Sequence, residues 1–148
     1  MPLLLRNVLA LVAGIVIGGS VNMALITLGP TLIPPPAGVD VTSAEGLRSA
    51  MHLFEPRHFV MPFLAHALGT FAGALVAWLA AGSHRARMAY AVGGFFLLGG
   101  VAAVFMIPAP AWFIALDLVA AYVPMAWLAT RVGSRIRQDR PAAVAPAT

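Results

Sequence analysis

The sequence predicts an all-α, polytopic membrane protein of four transmembrane helices, and three observations carry that expectation. Of its 148 residues, 61% are apolar and 9% charged, with a mean hydropathy of +0.91, whereas about a quarter of a soluble domain is charged. Four apolar stretches are long enough to cross about 30 Å of hydrocarbon at roughly 1.5 Å per residue. All nine basic residues are arginine. Seven of them (Arg6, Arg85, Arg87, Arg131, Arg135, Arg137 and Arg140) stand just outside the apolar stretches, as topology signals do.

The four helices are expected near 7–29, 59–81, 88–107 and 112–130, in a single transmembrane domain over 1–137. The first begins after Arg6 like a signal peptide, but apolar sequence resumes through Val21–Leu28, so a retained helix is expected. The amino terminus, the 82–87 loop and the tail hold the seven arginines, and the 30–58 loop holds the other two, Arg48 and Arg57. Positive-inside then places both termini in the cytoplasm. Trp78 and Trp127 are expected at the inner interface and Trp112 at the outer one.

The outer loop, 30–58, carries its own signals. Pro34-Pro35-Pro36 reads as polyproline. Thr42-Ser43-Ala44-Glu45 reads as a capping box opening an amphipathic helix over 43–55 that Pro56 closes. On it Ala44, Leu47, Met51 and Phe54 share one face, opposite Glu45, Arg48, His52 and Glu55, which suits an interfacial helix or a lid over the bundle. The tail, 138–148, rich in Ala and Pro, is expected to be disordered. Phe63-Leu64-Ala65 with Ala77-Trp78-Leu79-Ala80 is echoed by Phe113-Ile114-Ala115 with Ala126-Trp127-Leu128-Ala129, which suggests a 2+2 tandem repeat of two-helix hairpins.

Several function classes fall away. The arginines form no groove-lining stripe, so the isoelectric point near 11.2 does not point to nucleic acid. With no cysteine, disulfide, thiolate and Cys-based metal chemistry are excluded. No cofactor-binding motif, nucleophile elbow or intramembrane carboxylate pair is present, so there is no positive case for an enzyme. The metal reading rests on a weak pattern, His52-x-x-Glu55 with His58 close by, against the plainer reading of a solvated helix face with a Glu45–Arg48 ion pair.

Small residues decide how the helices approach. Ala10, Gly14, Gly18 and Asn22 form an i, i+4 stripe on the first helix; Gly69 and Gly73 lie on the second, Gly93 and Gly100 on the third. Such stripes let backbones touch where lipid offers no hydrophobic drive. Tight packing inside the bundle is the plain reading, and a homo-oligomer seam or pore wall the functional one.

The ligand, ion or proton candidates are the rare polar residues of the spans: Asn22, His66, Thr70, Asp117 and Tyr122. From the expected helix ends, Asn22, His66 and Asp117 lie roughly 8–11 Å below the outer surface, in one layer. An intramembrane Asp is costly and should face the bundle interior with a partner; His66 is the natural one, with Asn22 close by. The bland alternative is a structural clasp between the second and fourth helices.

In architecture the chain resembles the small four-helix proteins of bacterial inner membranes, by size and helix count and not by motif, which implies a multi-pass protein of the cytoplasmic membrane. The fluoride channels and small multidrug exporters share its size, but their short outer loop with a Gly-Arg pattern, and their acidic residue in the first helix, are not found here. Two functions follow as expectations: a transporter- or channel-like protein with a polar layer in the outer third of the bundle, or an accessory or assembly subunit of a larger membrane complex. The expected partners are the lipid bilayer and either further copies or other membrane subunits.

Overall fold

The computed structural model describes residues 1–138; the tail expected to be disordered lies outside the described residues, apart from Gln138, which ends the last helix. The described chain is all-helical: α1 (Leu3–Leu32), α2 (Ala44–Ala50), two 3-10 turns (Met51–Leu53 and Pro56–Phe59), α3 (Val60–Ala80), α4 (Arg85–Met106), α5 (Ala111–Ala120) and α6 (Val123–Gln138). Four segments, Leu3–Leu32, Pro56–Ala80, Arg85–Met106 and Ala111–Gln138, are long and apolar enough to cross a membrane.

Helix α3 is the centre, packing against α1, α4 and α6. The α1–α3 crossing is made by glycine. A Cβ on Gly14 would stand 2.6 Å from the Gly73 carbonyl oxygen, and one on Gly73 would stand 2.5 Å from that of Gly14. Gly18 and Gly69 oppose each other in the same way, at 2.7 and 2.8 Å. Backbone thus lies against backbone, the use of small residues expected between helices in lipid. Gly93 similarly admits Ala126 of α6, and Gly133 of α6 lies against the Trp78 ring. Beneath the crossing, Ala74, Ala77, Trp78, Ala89, Val92, Ala126 and Ala129 form the main core.

Trp78 therefore does not sit as an interface anchor. It is 8% exposed, with Arg85 over its ring at 5.2 Å. Trp127 and Trp112 are both exposed, and Arg131 covers Trp127 at 5.0 Å.

The start of α1 clasps the α3–α4 turn. Asn7 Oδ1 accepts from the amides of Gly82 (3.0 Å) and Ser83 (3.2 Å), and Asn7 Nδ2 donates to Ser83 Oγ at 2.9 Å. Arg6 Nε donates to the Ala80 carbonyl at 3.0 Å, one of the carbonyls that the end of α3 leaves without a helical partner.

Two expectations are corrected. The fourth span is two helices, with a break at Ala121–Tyr122. Pro124 causes it: proline has no N–H to offer the carbonyl four residues back, and its ring collides with that carbonyl. Helix α5 closes with Ala121 N–H on the Asp117 carbonyl, and α6 opens with Ala126 N–H on that of Tyr122. α3 runs unbroken through the corresponding turn, so the suggested hairpin repeat does not extend to this feature.

The helix of the 30–58 loop is also shorter than 43–55. Ser43 caps α2, its hydroxyl accepting from Gly46 N–H at 3.0 Å, but the α-helix ends at Ala50. Pro56 excludes the α region at the residue before it, and Glu55 is extended at φ −89°, ψ 161°. The chain instead starts a second turn, where Glu55 N–H donates to His58 Nδ1 at 2.9 Å. The sequence Thr42-x-x-Glu45 does not close as a box. Thr42 and Ser43 donate to Asp40 instead, while Glu45 pairs with Arg48 at 3.9 Å.

Candidate functional site

His66 lies two turns into α3 and Asp117 two turns into α5. The structure joins them: His66 Nδ1 is 2.9 Å from Asp117 Oδ1 and 3.0 Å from Oδ2. Tyr122, at the break between α5 and α6, donates its hydroxyl to Asp117 Oδ2 at 2.9 Å. Its ring also lies against the His66 imidazole, centroids 5.9 Å apart and planes inclined by 27°.

The break makes the Tyr122 contact possible. Five residues along a continuous helix turn a side chain about 140° away from its starting face, so residue 122 would point away from Asp117. The interruption returns it. Tyr122 is 2% exposed, and its hydroxyl occupies the notch left by Gly100 of α4. The glycine at 100 is thus bound up with the polar cluster, not only with helix packing.

The pair lies on a cavity of about 380 Å³, at the lower end of the usual ligand-pocket range of about 300–1,000 Å³. Its wall includes Ile26 of α1 and Ile33 just after it, Met61 and His66 of α3, Gly100 and Val104 of α4, and Phe113 and Asp117 of α5. Leu47 of α2, with Met51 and Phe54 just after it, closes the loop side. Three residues of the expected apolar face therefore cover the cavity, while the fourth, Ala44, is exposed. Glu45, Arg48, His52 and Glu55 on the other face are exposed, and Arg48 Nη2 ties the cover to the end of α4 through the Met106 carbonyl at 3.3 Å.

Asn22 packs on Gly69, where a Cβ would come within 3.0 Å of its own. No hydrogen bond among the described residues joins it to His66 or Asp117, and its Oδ1 is buried without a partner. Hydrogen bonds thus join His66, Asp117 and Tyr122, while Asn22 packs on α3 at Gly69, three residues along from His66, without bonding to them. Thr70 is 1% exposed, its hydroxyl also without a partner among the described residues.

In the weak metal pattern, Glu55 is paired with Arg57 at 3.0 Å, and His58 Nδ1 is occupied by the Glu55 amide. His52 lies exposed in the first 3-10 turn. Among the described residues no three His, Asp or Glu side chains gather as metal ligands.

Sequence reasoning missed the cavity and the helix break. Pro124 was the available signal for the break. The cavity had no linear signal, since its wall is drawn from four helices and the loop. Comparison with family models, curated proteins and solved structures finds no match.

Proposed function

We propose that this is a small multi-pass membrane protein, transporter-like in design, that takes a small molecule into an outer, loop-covered cavity ending on His66 and Asp117. One observation carries the reading: the only hydrogen-bonded acid–base pair between the described spans lies on the wall of a ligand-sized, mainly apolar chamber. A largely apolar pocket with a few convergent polar groups is the usual form of a small-molecule site. A broken helix beside the polar group is also how many membrane carriers place substrate contacts. On the arginine asymmetry we place both termini in the cytoplasm of a bacterial inner-membrane protein, with the cavity on the outer side.

Mild purification followed by native mass spectrometry tests the reading. The wild type should carry a small-molecule mass that an Ala103→Trp variant, filled from α4, lacks. Reconstituted wild type should then move that molecule across vesicles. Identical empty spectra for the two proteins would remove the ligand reading. Recovery at fixed stoichiometry with other membrane chains would favour the accessory-subunit function instead.

A further inference from the structure

We propose that the cavity selects a neutral aromatic amphiphile carrying one hydroxyl donor, an alkylphenol in its simplest form, and that His66 Nε2 accepts that hydroxyl. This deepens the ligand reading above and rests on it. Both Asp117 oxygens lie within 3.0 Å of His66 Nδ1, and Oδ2 also receives the Tyr122 hydroxyl. We take Asp117 as a carboxylate, which only accepts, and so place the proton of a neutral imidazole on Nδ1. The free lone pair of the ring is then on Nε2. Tyr122 against one face of the imidazole holds the ring in place.

The imidazole is also the more accessible half of the pair, its side chain 26% exposed against 8% for Asp117. A ligand in the chamber therefore meets a hydrogen-bond acceptor backed by a carboxylate. A cationic head would be stripped of water among apolar groups and find the carboxylate oxygens already engaged. An anionic head would meet the Asp117 charge. A neutral O–H suffers neither penalty.

The rest of the wall suits a flat ring with an alkyl chain. Phe59 and Phe113, their centroids 4.8 Å apart and inclined by 41°, offer a tilted aromatic contact of the kind rings favour. Ile26, Met61 and Val104 supply aliphatic surface.

The test measures binding of a para-alkylphenol and of its methyl ether to the purified wild-type protein in detergent at neutral pH. The ether keeps ring, chain and size and lacks only the donor. The phenol should bind about tenfold more tightly, a difference of about 1.4 kcal/mol. With isotope-labelled histidine, the Nε2 resonance of His66 should shift with the phenol and not with the ether. A His66→Phe variant should bind both probes equally, at the affinity of the wild type for the ether. Equal binding of the two probes to the wild type, or a phenol preference that survives His66→Phe, would overturn the inference and leave the cavity as a ligand site. Failure of both probes to bind saturably would overturn this inference, and the ligand reading would then stand or fall on the co-purified mass alone.

Discussion

His66 Nδ1 sits within 3.0 Å of both carboxylate oxygens of Asp117, 51 residues further along the chain. Each side chain removes the reason the other would be costly between apolar helices, so they should be energetically coupled. His66→Leu leaves a buried carboxylate with only the Tyr122 hydroxyl and should cost on the order of 3 kcal/mol. Asp117→Asn replaces the carboxylate by a neutral amide and weakens its hold on the imidazole N–H. The double variant should lose less stability than the two singles summed, by more than about 0.5 kcal/mol. Denaturation of the four proteins in detergent checks this, and strict additivity would show that the contact carries no energy.

How far the sequence exposed this site depends on the kind of information each residue needed. His66 and Asp117 were recognisable because ionisable groups are rare in the spans, and depth along a helix follows from counting residues. Asn22 satisfied both criteria and faces α3 as Gly14 and Gly18 do, yet it packs on Gly69 and makes no hydrogen bond to the pair among the described residues, a contact that depth alone does not specify. Tyr122 required knowing that Pro124 interrupts the helix. Hydropathy is blind to that, since apolar sequence runs on without a gap from Val119 through Ala129. The loop helix was legible in its cap and apolar face, yet what that face covers is a tertiary fact.

The glycines should divide sharply by location. Gly73→Ala brings a methyl group to 2.5 Å from the Gly14 carbonyl oxygen, and neither backbone can yield without separating α1 from α3. Overpacking of this kind costs about 1–3 kcal/mol. Gly94 and Gly99 of α4 have open space where a Cβ would go. Alanine there should be neutral, or stabilising by up to about 1 kcal/mol through helix propensity. Thermal unfolding of the three variants reads the contrast, and equal losses at all three would contradict the crossing.

Asp40 should make the entry to α2 sensitive to acid. Its carboxylate accepts first from the hydroxyl of Thr42, then from that of Ser43, and from the Thr42 amide, and these bonds hold its pKa at about 2. An unfolded Asp titrates near 3.9. A lowered folded value means the contribution is complete above about pH 4 and is lost as pH falls towards about 2. Hydrogen exchange of the 42–46 amides, corrected for intrinsic rates, should rise through that window. Asp40→Ala should show the faster exchange already at neutral pH, and a flat wild-type profile would refute the tie.

Topology can be read with single cysteines, because the chain has none of its own. Ser43→Cys, at the cap of α2, should react with a membrane-impermeant maleimide added outside intact cells. Ser83→Cys, in the α3–α4 turn, should react only after the membrane is opened. The expectation follows from seven arginines against two on the two sides and the positive-inside bias. Labelling of both sites from the same side would overturn the arrangement.

Gly100 and Tyr122 provide the most specific test of how α4 supports the polar cluster. The Tyr122 hydroxyl fills the space a Cβ at residue 100 would need, with ring atoms Cζ and Cε2 also close, at 2.7 and 2.9 Å. The same hydroxyl donates to Asp117 Oδ2 at 2.9 Å. Tyr122→Phe alone deletes a hydrogen bond to a charged group and should cost about 1.5–3 kcal/mol. Gly100→Ala alone should displace the ring, adding loss of that hydrogen bond to the steric cost. In the Tyr122→Phe background the hydrogen bond is already gone and part of the clash with it, so the same alanine should cost less. A coupling of about 0.5 kcal/mol or more in this cycle would establish that glycine at 100 is needed to seat a tyrosine hydroxyl on Asp117. Full additivity would mean that Gly100 serves helix packing alone.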